Sequence, residues 1–131
     1  MVINKELLDE LSRKATASPR LRMNLDLRTS ASDMSQRMLN AIEPETVIPI
    51  HRHLNSSESC IILRGSAEEI FYNDNGCETE HVLIKDGSEC VGVNIEAGCW
   101  HKIVALEAGT VIFESKNGAY EAITPKDILE V

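Results

Sequence analysis

Positive charge is scarce in this chain. Lys and Arg number 13 against 21 Asp and Glu, for a net charge of -8 with His neutral. Nucleic acid and anionic membrane surfaces are therefore excluded as expected partners, because both are bound through a basic face. Long apolar runs are also missing: no stretch approaches the roughly 20 residues that span a bilayer. The start, MVINKELLDELSRK, lacks the apolar core of a secretory signal, and a cytoplasmic location is the expectation. The cysteines Cys60, Cys77, Cys90 and Cys99 show no CxxC spacing, so they read as free thiols. Aromatic residues make up only 4%, which leaves the single Trp100 as a packing anchor.

What is present is one domain's worth of chain, 131 residues with 43% hydrophobic composition. A short helix is expected after Asn4, which can cap it, with Leu7, Leu8 and Leu11 on one face and Pro19 beyond its end. From about Gln36 onward the pattern is period-2 alternation broken by turn residues, about nine short strands in all. The segments are SQRMLNAI, TVIPIHRH, SCIILRG, AEEIFYN, ETEHVLIK, CVGVNI, HKIVAL, TVIFES and AYEAI. No helix separates them, which excludes parallel βαβ units and favours a sandwich or closed barrel. The expected division is an N-terminal helix and extended segment over 1–35, packed on a β-barrel over 36–131 as one structural domain.

The chemistry concentrates in PIHRHLNSSESCIILRG. On a strand, residues i and i+2 share a face, so His51 and His53 project together. The following turn returns Glu58 on a neighbouring strand, where it can oppose the histidine pair. Two imidazoles and a carboxylate form a mixed N/O set that suits Zn, Fe, Mn, Ni or Co. Of the two remaining histidines, His101 follows Gly98 at the start of a strand and is the expected further ligand. His81 sits among charged residues and is expected at the surface.

The segment from His51 to Gly65 resembles the first cupin motif, with His51, His53, Glu58 and Gly65 at its fixed positions. EAGCWH resembles the second, through Gly98 and His101. Glu96 stands where proline is usual, Glu45 and Cys90 replace opening glycines, and Ala105 replaces a closing asparagine; these concern loop shape rather than ligands. SPRLRMNLDL, QRMLNAIEP, PIHRH, CWHKI and VIFESKNGAY, in this order, resemble the WbuC-type cupin-fold metalloproteins. The resemblance implies an all-β, single-domain jelly-roll cupin from a bacterium, holding one divalent transition metal. It also implies a homodimer and an association with surface polysaccharide (O-antigen, lipopolysaccharide) biosynthesis, with no assigned reaction.

Other residues are candidates for contact with a small molecule. Cys60, two after Glu58, is expected to point inward, with a small buried thiol as the simpler reading. Arg22 and Arg37 can clamp an anion in bidentate fashion, or tie the N-terminal segment to the barrel through ion pairs. Glu114 and Tyr120 can approach the mouth as acid/base groups, against a solvated Glu and a buried Tyr. The expected role is binding or turnover of a carbohydrate or sugar-nucleotide, as a metal-dependent isomerase or epimerase. A ligand sensor, an iron-dependent dioxygenase and a purely structural metal are the alternatives.

Overall fold

The first regular element is the helix α1, Lys5–Ala17, in a computed structural model that describes residues 1–130. The Asn4 side chain accepts a hydrogen bond from the Leu7 N–H at 3.0 Å, satisfying one of the free donors at the helix start. Its apolar face packs Leu11 and Ala15 onto Leu39, Ala41 and Val111 of the sheet below. Arg64 fastens the helix from beneath: its guanidinium donates to the Leu8 carbonyl, the Ser12 hydroxyl and Asp9.

Ten strands follow: β1 (Arg22–Asp26), β2 (Ser35–Ile42), β3 (Ile50–His51), β4 (Glu58–Arg64), β5 (Ser66–Tyr72), β6 (Glu78–Lys85), β7 (Gly92–Ile95), β8 (Trp100–Ala105), β9 (Thr110–Asn117) and β10 (Ile128–Leu129). They form two five-stranded antiparallel sheets, ordered β1-β2-β9-β4-β7 and β10-β3-β8-β5-β6. This is the expected all-β jelly roll with one N-terminal helix. The barrel core lies between the sheets and joins Ile42, Cys60, Ile62, Ala67, Ile84, Ile103 and Ile112. Strand β2 is buried on both faces towards its end, because α1 covers Leu39 and Ala41 while Asn40 and Ile42 face inward. A third cluster gathers Ile50, Ile70, Tyr72 and Trp100. Trp100 donates its indole N–H to Asp74 at 2.9 Å, and the Arg52 guanidinium lies over its ring.

Gly65 makes the turn between β4 and β5 at φ +84°. A Cβ there would collide with the Thr110 side chain, so both conformation and space demand glycine.

Three expectations change. The strand read over TVIPIHRH shrinks to Ile50–His51, since Pro49 has no N–H to give to a ladder. AYEAI forms no strand: after Gly118, at φ +86°, the chain leaves the sheet and residues 119–124 run exposed to solvent. The segment 22–26, read as extended chain outside the barrel, is itself an edge strand, paired along its whole length with β2.

Truncating Leu11 to Ala should remove the centre of the helix contact and lower stability by about 2–5 kcal/mol. Urea unfolding monitored by circular dichroism measures it; a loss under about 0.5 kcal/mol, the level of a surface substitution, would show that α1 does not depend on this packing.

Candidate metal centre

Four segments meet at one end of the barrel interior. Strand β3 pairs with β8 through a single register contact, His51 opposite His101, and their ring centroids lie 4.4 Å apart. His53, two residues on, has its ring centroid 5.3 Å from that of His51 and 6.1 Å from that of His101. The loop after His53 is tied to the loop before β8, where the Gly98 N–H donates to the His53 carbonyl at 2.8 Å. Glu58 opens β4 and turns its carboxylate into the cluster. Oε2 lies 3.3 Å from His53 Nε2, and Oε1 lies 3.8 Å from His101 Nε2.

One ligating nitrogen from each histidine falls within 4.8 Å of the others. Two donors on opposite sides of an ion bound at roughly 2.0–2.1 Å are about 4 Å apart, so small side-chain rotations close the difference. The tautomers are set by the backbone. His51 Nδ1–H donates to the Pro49 carbonyl at 2.8 Å, and His101 Nδ1–H donates to the Cys99 carbonyl at 2.9 Å. Each Nε2 is thereby left with its lone pair facing the cluster, the arrangement that orients metal-binding imidazoles.

The donor set passes a direct test of fit. Glu58 Oε2 and His101 Nε2 are buried and have no hydrogen-bond partner among the described residues. A buried polar atom left unpaired costs about 1–3 kcal/mol, and a carboxylate oxygen beside an imidazole lone pair cannot satisfy it, since both accept. A cation resolves both. Lys116 brings one positive charge to Glu58 but not to His101, with Nζ 3.5 Å from Glu58 Oε2 and 3.3 Å from His53 Nε2. Burial works against ionisation of Glu58, but His101, His53 and Lys116 together hold its pKa below the usual carboxylate range.

The cluster forms the floor of a cavity of about 320 Å³. Its wall includes Asn40, Cys60, Glu69 and Glu114, and its opening carries Arg20, Arg22, Asn24, Tyr120 and Glu121. Of the sequence candidates, Arg22, Cys60, Glu114 and Tyr120 lie here with the four metal candidates. Arg37 does not. It points away, donating to the Ser35 and Leu27 carbonyls and pairing with Asp33, which is the tethering role. His81 is exposed between Glu68 and Glu78.

Two side chains differ from their simpler readings. Tyr120 is not buried: it is 58% exposed, with the Arg28 guanidinium 5.6 Å from its ring centroid. Glu114 is not a solvated carboxylate, since burial and then the charge of Glu58 push its pKa up to about 7. Burial first, then Glu114, Glu69 and Glu58, raise the Cys60 thiol well above its ordinary value, and the side chain packs in the barrel core as a small buried thiol.

Asn40, Glu69 and Lys116 escaped sequence reasoning. A parity signal existed for each: Asn40 is two before Ile42, Glu69 two after Ala67, and Lys116 two after Glu114, all inward positions. Adjacent polar residues such as Glu68 blurred it.

In the protein stripped of metal, burial and then His101 push the His51 pKa from 6.5 down to about 4. Between those values the unfolded chain takes the proton and the folded chain refuses it, so stability falls as pH drops through that window and is complete above it. Urea unfolding at about pH 7.5 and about pH 5 should show the loss. H51Q should shrink the difference; an unchanged difference would contradict this assignment.

A structure of oxalate oxidase in complex with glycolate aligns with a TM-score of 0.66 at 15% identity, over 83% of this chain and 57% of that one. The capsular polysaccharide assembling protein CapF from Staphylococcus aureus aligns at 0.69 and 22% identity, over 87% of this chain and 33% of that one. KdgF from Halomonas sp. aligns at 0.62 and 14%, over 79% and 84%. The chain thus spans little more than half of the oxalate oxidase and a third of CapF. At these identities the likeness carries the fold, which is that of the cupins. A search of curated protein sequences finds no match. Residues 3–84, more than half of the chain, match the family described as a domain of unknown function, DUF6016, and the protein belongs to that family.

Proposed function

We propose that this protein is a metal-dependent cupin that binds and transforms a carbohydrate, free or as a sugar-nucleotide, in bacterial surface-polysaccharide assembly. The ligands are His51, His53, Glu58 and His101. The observation that carries the reading is the pair of buried, unpartnered atoms, Glu58 Oε2 and His101 Nε2, inside a cluster of three imidazoles. The WbuC-like sequence pattern supports the pathway, as does the likeness in fold to CapF, a capsular polysaccharide assembling protein. A homodimer in the cytoplasm belongs to the same reading.

A divalent transition metal held by this set supplies Lewis acidity towards a carbonyl or hydroxyl oxygen. The protein's own residues supply the rest. Glu114 is the general base: Oε1 accepts the Asn40 amide at 3.2 Å, which leaves Oε2 to exchange a proton. A pKa of about 7 suits that task near neutral pH. Lys116 neutralises negative charge beside Glu58. Ile48, Ile103 and Ile112 line the cavity and keep its interior low in dielectric. A base beside a polarised carbonyl is the equipment of an isomerase or epimerase.

Metal analysis of protein purified without added metal should find about one ion per chain, as expected of a single donor set. H51A and H101A should each lose most of it, while H81A keeps it. Full metal content in H51A would refute the ligand assignment. Turnover of sugars by the loaded protein, lost in E114Q with metal retained, separates an enzyme from a ligand sensor.

A further inference from the structure

The cavity wall carries a second unmet demand, separate from the metal donors. Asn40 is 7% exposed; its amide N–H donates to Glu114, but Oδ1 is buried with no partner among the described residues. Glu69 is 2% exposed and lines the same cavity. Both groups sit on inward strand positions, Asn40 in β2 and Glu69 in β5. An apolar ligand would leave Asn40 Oδ1 stranded, at the penalty of a buried unpaired polar atom, and would strip water from the Glu69 carboxyl. A ligand with hydroxyl groups on that side satisfies them. Burial, then Glu58 and Glu114, raise the Glu69 pKa well above the ordinary value.

The opening makes a different demand. Arg28, Arg37, Arg52 and Arg64 are each committed to an aspartate. Arg20 and Arg22 line the cavity mouth and form no ion pair among the described residues, in a chain with 21 acidic side chains. Leu21 between them adopts φ +54°, a left-handed conformation that a leucine seldom takes, and Thr46 holds its carbonyl. Glu121 at the same opening is exposed, where a carboxylate weakens the guanidinium pair little. At about 320 Å³ the cavity is near the lower end of the roughly 300–1,000 Å³ range of small-molecule sites, room for one sugar ring.

We infer that the site takes a single monosaccharide unit bearing an anionic group, with ring hydroxyls on Asn40 and Glu69 and the anion on Arg20 and Arg22. This rests on the carbohydrate reading above and narrows it to acidic sugars. The anion is a sugar carboxylate, a sugar phosphate, or the diphosphate of a nucleotide sugar that remains outside the cavity. Arg20 and Arg22 recognise the feature these share, negatively charged oxygens presented for bidentate contact. Asn40 and Glu69 are specificity residues within the cavity.

The test is calorimetric titration of the zinc-loaded full chain with neutral hexoses, the matching hexuronates, hexose 1-phosphates and UDP-hexoses, each in gluco, galacto and manno form. At least one anionic sugar should bind tenfold or more tightly than its neutral parent. R22A should abolish that preference, and R20A should reduce it. E69L and N40L should weaken the anionic and neutral forms alike, while E69Q, which keeps a donor and an acceptor, should retain binding. Metal content and melting temperature confirm that each variant is folded and loaded. The best-bound anionic member identifies the source of the anion. Equal binding of neutral and anionic forms, or a preference that survives R20A and R22A, overturns the inference and leaves the carbohydrate reading intact. Silence across the whole panel overturns both, while the metal content reports on the metal centre by itself.

Discussion

One cross-strand contact holds the centre together, the pairing of His51 with His101 where β3 meets β8. β3 is two residues long and makes no other register contact with β8. The backbone carbonyls of Pro49 and Cys99 fix the two rings from behind, so the imidazoles face the cavity as a preset pair. His53 and Glu58 then close on that pair from the loop and from β4. The rest of the barrel keeps these pieces in place: β8 by its long ladder with β5, β4 by its ladder with β9.

Charge inside the barrel follows a consistent pattern. The cavity interior carries three carboxyl groups, Glu58, Glu69 and Glu114, in a space that disfavours ions, with Glu121 at the opening. Imidazoles and Lys116 around Glu58 hold its pKa low, while burial, and then that negative charge, raise the pKa values of its two neighbours. One carboxylate held ionised among the imidazoles and two carboxyls of raised pKa on the wall is a division of labour, since environments that drive pKa values apart assign acid/base roles. The unpaired arginines extend the pattern outward, placing positive charge at the mouth and hydrogen-bonding groups within.

Much of this was legible in the sequence because it depends on short-range geometry. The i, i+2 relation of His51 and His53 is fixed by the pleat, and a capped apolar face is enough to place α1. Strands β2 and β6 match their alternating segments residue for residue. The losses have physical causes. Proline at 49 and the short pairing of β3 undercut an apparent strand, and AYEAI alternates without a partner to pair with. Strand β1 was hidden because Met23 and Leu25 pack under the helix while Arg22 and Asn24 face the cavity, so its inward positions carry polar residues. The same inversion hid Asn40, Glu69 and Lys116. An inward polar residue reads as an outward one unless a ligand site is already known to lie there.

The central claim is that side chains distant in sequence converge on one ion. X-ray absorption spectroscopy of the protein with its native metal tests it most directly. The account predicts a shell of N/O donors at about 2.0–2.2 Å, with the outer-shell scattering pattern of three imidazoles. A shell with one imidazole or none, or with a sulfur scatterer at about 2.3 Å from a cysteine, would contradict it.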